Sequence, residues 1–333
     1  MKPSLLYVFV GLFFMLSCTK KEKTPINNLN SSFGSRNEVV LVIEDSLWIG
    51  TIGDSIRAKL AKPIVGITDQ EPIFDLVQLD PKIFTKKAKT ARNIVLFSTQ
   101  TAHEFILEKS LNATPQNFFF IRAKTNEDLI KLFNSNADSI ISVFKSSEMN
   151  EEMHKVVRSS KLNYKELKEL FGCTLKIPDS YHLQMENESP FLWYQKDLSS
   201  GNVNLVLYEF PINEIETNEF TLENRLIEAK NVIGKSFLKT AKDSAYFIVS
   251  PQFTPIIKKK TIQNLPAYQI IGAWETVNDY LKGPFVCYAI RDDYYNRYLF
   301  IEGFVNNPFK NKRDQLLEIE AIINTLNFNE SPN

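Results

Sequence analysis

The chain changes rhythm near residue 172, and that change constrains its architecture more than any motif it contains. Before it, short β-branched and aromatic runs alternate with helical patterns. Residues 38–43 (EVVLVI), 74–79, 93–98 (NIVLFS) and 118–122 (FFFIR) read as strands. Asp45 reads as the cap of a helix running through residue 60, stopped by Pro63 and Gly66. A long helix is predicted over 126–158. Thr125 and Asp128 have capping-box spacing, and Leu129, Phe133, Ala137, Ile140 and Phe144 form an apolar stripe at helical spacing. A further helix is expected near 164–171. Strands alternating with helices predict an α/β layer on a partly parallel sheet.

After residue 172 hairpins dominate. Strands are predicted at 174–177, 181–186, 191–196, 203–210, 245–250, 256–263, 267–276, 285–291 and 298–305, with helices at 222–238 and 312–326. This half is expected to be an antiparallel α+β sandwich, so the fold class is α/β plus α+β. The division is 37–172 for the α/β domain and 173–328 for the antiparallel one, followed by a tail, 329–333. A length of 333 residues suits two domains.

The N-terminus carries an address. After Lys2, residues 5–16 (LLYVFVGLFFML) are apolar, too short a run to span a bilayer but the right length for a signal-peptide core. It ends in Met15-Leu16-Ser17-Cys18, which is similar to a bacterial lipobox. That likeness makes 1–17 a signal peptide and Cys18 the site of lipidation. Residues 19–35 are polar and poor in apolar side chains, so 18–36 reads as the lipidated cysteine and a flexible tether. By resemblance to lipoprotein sorting signals, Thr19 in place of Asp, with no acidic run following, implies the outer membrane with the protein facing the periplasm. The expected contacts are the membrane, through the lipid, and an envelope protein partner.

Acidic and basic residues balance at 39 each, so the overall charge points to no nucleic acid. Cys173 and Cys287 either pair in an oxidising compartment or stand as small buried hydrophobes. The histidines His103, His154 and His182 fall singly, so neither a metal site nor a cofactor is expected. His154, beside Glu151 and Glu152, reads as part of a solvated helix face, and "RDDYYNR" (291–297) as a hairpin tip.

Several phrases carry a family resemblance. "GDSIRAKLAKPIVGITDQEPIFDL" (53–76), "FGCTLKIPDSYHL" (171–183), "GAWETVNDYLKGPFV" (272–286) and "IEGFVNNPFKNKRDQLLEIEAII" (301–323), behind a lipobox, resemble an uncharacterised Bacteroidetes lipoprotein family. That family carries a domain of unknown function, number 4837; the resemblance implies the lipoprotein address, brings no assigned catalytic residues to this chain, and leaves function open. The element order of the second half is also similar to the PsbP-like fold.

Two sets of residues bear on chemistry. "VVLVIEDSLW" (39–48) and "DSYH" (179–182) resemble SGNH-type esterases, with Ser46 as nucleophile, His182 as base and Asp179 orienting it. Against that, Glu44 stands where such enzymes need glycine, and the same residues serve as a helix cap and a turn. A carrier of a small apolar or glycan ligand is the third class considered. Trp274 and Tyr280, in a stretch that joins two apolar strands through a loop, are the binding candidates. The basic clusters 86–92 and 258–260 either meet lipid headgroups or are solvated.

Overall fold

The computed structural model describes residues 29–66, 70–160, 165–186, 190–240 and 244–328. Cys18, the signal peptide, most of the tether and the 329–333 tail lie outside these residues.

Parallel neighbours need crossovers, and the first half supplies them. Strand β1 (Glu38–Val42) leads into α1 (Asp45–Ile49) and α2 (Thr51–Leu60), which return the chain to β2 (Asp75–Leu79). Then come β3 (Asn93–Thr99), β4 (Glu104–Lys109) and β5 (Asn117–Ala123). The sheet order is β2-β1-β3-β5-β4, parallel throughout except for β4. One face packs on α2 and on the first part of α3 (Asn126–Ser159), through residues such as Phe97, Phe119, Phe133 and Phe144. Thr125 caps α3 as predicted, its hydroxyl accepting from the Asp128 N–H at 3.2 Å.

In the second half the strands pair only antiparallel. After α4 (Lys165–Phe171) and β6 (Cys173–Thr174) come β7 (His182–Glu186), β8 (Phe191–Leu198) and β9 (Gly201–Pro211). Two helices follow, α5 (Ile212–Ile215) and α6 (Leu222–Phe237). The chain continues through β10 (Tyr246–Val249), β11 (Ile256–Ile262), β12 (Leu265–Val277), β13 (Lys282–Asp292) and β14 (Arg297–Asn306). It closes with α7 (Arg313–Ile323) and β15 (Asn327–Phe328). The sheet runs β10-β12-β13-β14-β9-β8-β7, with β11 alongside β12. Its period-2 alternation feeds two cores. Phe285, Cys287 and Ala289 face α6, while Val286, Tyr288 and Ile290 face α7, α4 and the end of α3.

The structure differs from the sequence reading at several places. The 45–60 helix breaks at Gly50, and Asp45 is no cap: its carboxylate accepts from Gln78 Nε2 at 2.9 Å. The break is tight, since a Cβ on Gly53 would stand 1.8 Å from the Trp48 carbonyl oxygen. Strand β4 was unexpected. The predicted strand at 174–177 shrinks to β6, paired with β15. The tether does not reach residue 36, because Ser32 and Phe33 donate to the Thr114 and Thr90 carbonyls, both at 3.1 Å. Finally, α4 belongs to the second core, with Leu167 and Phe171 beside Val156, so the division falls earlier than residue 172.

Candidate functional site at the junction of the two halves

Helix α3 is long enough, about 51 Å at 1.5 Å per residue, to serve both cores. Its buried stripe continues past Phe144 at four-residue steps through Glu148 and Glu152 to Val156. Phe144 belongs to the first core and Val156 to the second. The two glutamates between them are each only 2 % exposed. The solvated reading of Glu152 is thus corrected.

A buried carboxylate is tolerable only when its oxygens are fully engaged. Glu148 accepts from Arg92 Nε (2.7 Å), Arg92 Nη2 (3.3 Å), Asn93 Nδ2 (2.7 Å) and the Asn37 backbone N–H (3.0 Å). Asn37 turns that N–H inward from a left-handed conformation, φ 56°, which asparagine adopts more readily than most residues. Arg92, one of the basic run 86–92, is therefore a buried ion-pair partner and not a headgroup contact. Glu152 accepts from Arg36 Nε at 2.7 Å and Nη2 at 2.5 Å, and from Lys155 at 3.3 Å. Burial draws the Arg36 guanidinium down, but Glu152, with help from Glu318 and Asp314, more than reverses this and raises it. Across the junction Glu318 of α7 accepts from Lys196 Nζ (2.7 and 2.9 Å) and the Tyr181 hydroxyl (3.0 Å). The Tyr181 hydroxyl is pushed well up, by burial first and then by Glu318.

The most direct link between the halves is Glu71. Helix α7 begins after Lys312 with no side-chain cap of its own. The Glu71 carboxylate supplies one, accepting from the Lys312 N–H at 2.7 and 2.8 Å and from the Arg313 N–H at 2.8 Å. Its charge also suits the positive end of the helix dipole. Arg313 then donates to the Pro72 carbonyl (3.0 Å) and to Asp75 Oδ2 (2.6 Å).

An open polar cavity of about 430 Å³ lies at this junction, with Arg36, Glu152, Lys155, Arg158, Asp179 and Lys196 in its walls. The end of α3 opens into it, where the helix dipole favours cations such as Arg158. Glu152 and Glu318 are already neutralised by the surrounding bases. Arg36 of the first half also stands 3.7 Å from Glu318 of α7, so these charges meet across the joint. Among the described residues no group of three or more His, Cys, Asp or Glu is placed to hold a metal.

The esterase residues are not brought together. Ser46 is exposed on α1, which packs on α2 at the far end of β1. Ser55 of α2 bonds Asn134 of α3, whereas the Asp179 N–H bonds the Ser159 carbonyl. The helix between those two anchor points is roughly 38 Å long. His182 is exposed on β7, opposite Gln195. A nucleophile that far from its base is not a triad.

Of the binding candidates, Trp274 is core. It lies within β12, is 1 % exposed, and stacks on Phe247 with ring centroids 4.7 Å apart, so it cannot touch a ligand. Tyr280 is 93 % exposed on the β12–β13 tip. That tip is pinned by Thr276, whose N–H donates to the Leu281 carbonyl at 2.9 Å, and by Asn278 Nδ2 on the Ser244 carbonyl at 3.0 Å.

The cysteines are both free and buried, and they stand in different cores on opposite sides of the large sheet, so the pairing reading is corrected. Burial pushes the Cys173 thiol up to about 12. Cys287 is pushed well above its usual range, by burial first and then by Glu302, whose carboxylate pairs with Lys230 at 2.5 Å. The 291–297 tip is the β13–β14 turn, as expected, with Arg297 bonded to Asp292 at 3.1 Å and to the Phe171 carbonyl at 2.6 Å.

Sequence reasoning missed Glu71, Glu148, Glu152 and Glu318. For the α3 pair a signal existed: both glutamates fall in phase with the apolar stripe.

Two family models match the chain. Residues 32–157 match "Domain of unknown function (DUF8532)", and residues 160–325 match "Domain of unknown function (DUF4837)". No curated protein matches. Among solved structures, LpqN of Mycobacterium tuberculosis, described as involved in cell envelope biogenesis, aligns at 11% identity. The alignment covers 46% of this chain and 79% of that one, with a TM-score of 0.28. At that score the likeness fixes neither fold nor function. The two matched stretches are thus similar to domains of unknown function, and they meet between residues 157 and 160, at the end of α3.

Proposed function

We propose that this protein is a component of the bacterial cell envelope, anchored in the outer membrane by lipid on Cys18 and facing the periplasm, that works by binding an envelope protein. The address rests on the signal-like run at 5–16 and its cysteine. Among the described residues no helix is long and apolar enough to cross a membrane. The observation that carries the binding reading is Tyr280, an aromatic ring held almost wholly in solvent on a pinned hairpin tip. Aromatic side chains with a wet polar end are favoured at the centre of protein interfaces. A rigid tip also loses little entropy on docking.

Placing a photo-crosslinking amino acid at position 280 in cells tests this. One reproducible envelope protein is expected as the adduct, absent when Cys18→Ser removes the anchor. No reproducible adduct at position 280, with wild-type expression intact, would contradict it.

A further inference from the structure

The loop of residues 62–66 crosses from the first half onto the second sheet beside β11. Gly66 has φ +91°, and a Cβ there would stand 2.4 Å from the Ile271 side chain, so only glycine lets the loop lie this close. Under it opens a cleft of about 270 Å³ walled by Val65, Phe253, Ile256 and Ile271. Val65 and Phe253 are both exposed.

The same face carries lysines. Ile256, Lys258 and Lys260 fall on one side of β11, opposite Ile271, Gln269 and Ala267 of β12. This is the side under α7, because Gln269 Nε2 donates to Glu320 Oε1 at 2.6 Å. Lys62 and Lys145 approach from the first half. The Lys145 ammonium is pushed down, by burial first, with Lys62 and Lys258 adding to the effect and Glu320 opposing it. Glu320 is in turn drawn down by Lys145 and Lys260, although burial outweighs them and raises it. Lys145 and Lys260 thus act on one carboxylate, whose Oε1 already accepts from Gln269 and from the Tyr288 hydroxyl at 3.1 Å, while Lys62 and Lys258 crowd Lys145. Lys258 stands two residues from Ile256 on the same side of β11. The surplus is positive, and it borders an apolar wall.

We propose that this cleft binds the phosphate-bearing headgroup of an anionic lipid, with Lys62, Lys145, Lys258 and Lys260 around the phosphate and the start of the acyl chain against the apolar wall. Lysine ammoniums hold phosphate as point charges without needing a fixed fork. A free phosphate would leave the apolar wall unused, and a neutral lipid would leave the lysines unused. Only an anionic amphiphile uses both. The site is independent of the Cys18 anchor and of Tyr280.

The test uses the full chain in phosphatidylcholine vesicles doped with either photoactivatable phosphatidic acid or photoactivatable phosphatidylcholine. Labelled peptides are mapped by mass spectrometry, so label at the N-terminal apolar run is read separately. Phosphatidic acid is expected to label the peptides around 62–66 and 252–260 roughly tenfold more than phosphatidylcholine. The Lys145→Glu/Lys258→Glu variant should lose that excess. Lys259→Glu should keep it, because Lys259 pairs with Tyr268 on the opposite face. Equal labelling by the two lipids, or equal loss in Lys259→Glu, would overturn the proposal. Binding of inorganic phosphate without a preference for phosphatidic acid would also overturn it, leaving the lysines a free-anion site.

Discussion

Replacing Glu148 with alanine is expected to destabilise the protein by about 3–5 kcal/mol, the range for removing one member of a buried ion pair. The loss would come less from the contact than from what it strands. Arg92, Asn93 and the Asn37 N–H are all buried, and all three donate to this one carboxylate. Without it, the Arg92 guanidinium keeps only the Gly34 and Ser35 carbonyls at Nη2, and its Nε and the Asn37 N–H face a cavity in place of their acceptor. Glu148→Gln keeps the shape and one acceptor oxygen but not the charge, so it should fall between alanine and wild type. Urea denaturation of the three forms measures the order. Equal stability of wild type and Glu148→Ala would mean that water replaces the carboxylate at no cost.

Glu71→Ala is expected to cost roughly 2–4 kcal/mol, combining a lost helix cap with lost charge-assisted bonds to buried N–H groups. Its effect should also have a location. Glu71 lies in the first half and caps a helix of the second, so the change should loosen the joint more than either sheet. Protease nicking in native buffer should rise near residues 307–313. Glu71→Asp, which keeps the charge but shortens the reach, should restore part of the resistance. Unchanged proteolysis in Glu71→Ala would remove the cap from its place in this account.

Much of the architecture was legible in local pattern. The Leu129–Phe144 stripe and the Thr125 cap gave α3, and alternation gave the large sheet, because both signals lie within a few residues of one another. What escaped was decided by partners distant in the chain. Glu148 and Glu152 look solvated until Arg92 and Arg36 arrive from 56 and 116 positions away. Trp274 escaped for a different reason. It falls inside the strand predicted over 267–276, but alternation alone does not say which neighbours cover a face, and the covering residues, on α6 and at Phe247 and Phe304, are distant in the chain. The lysine cleft combines a visible run, 258–260, with Lys62 and Lys145, which nothing near them in sequence marks out. The esterase strings were legible as strings, but a triad is a distance relation, and α3 holds its members apart.

The central claim is that the Glu71 cap on α7, the Arg313–Asp75 and Arg36–Glu318 pairs, and the apolar stripe of α3 that serves both cores hold the two halves as one body. Hydrogen exchange of the wild-type protein across a urea series, read by mass spectrometry, tests it most directly. The account predicts that β3 and β5 of the first sheet lose protection at the same urea concentration as β13 and β14 of the second. Loss of the first sheet at a lower concentration, with the second still protected, would contradict it.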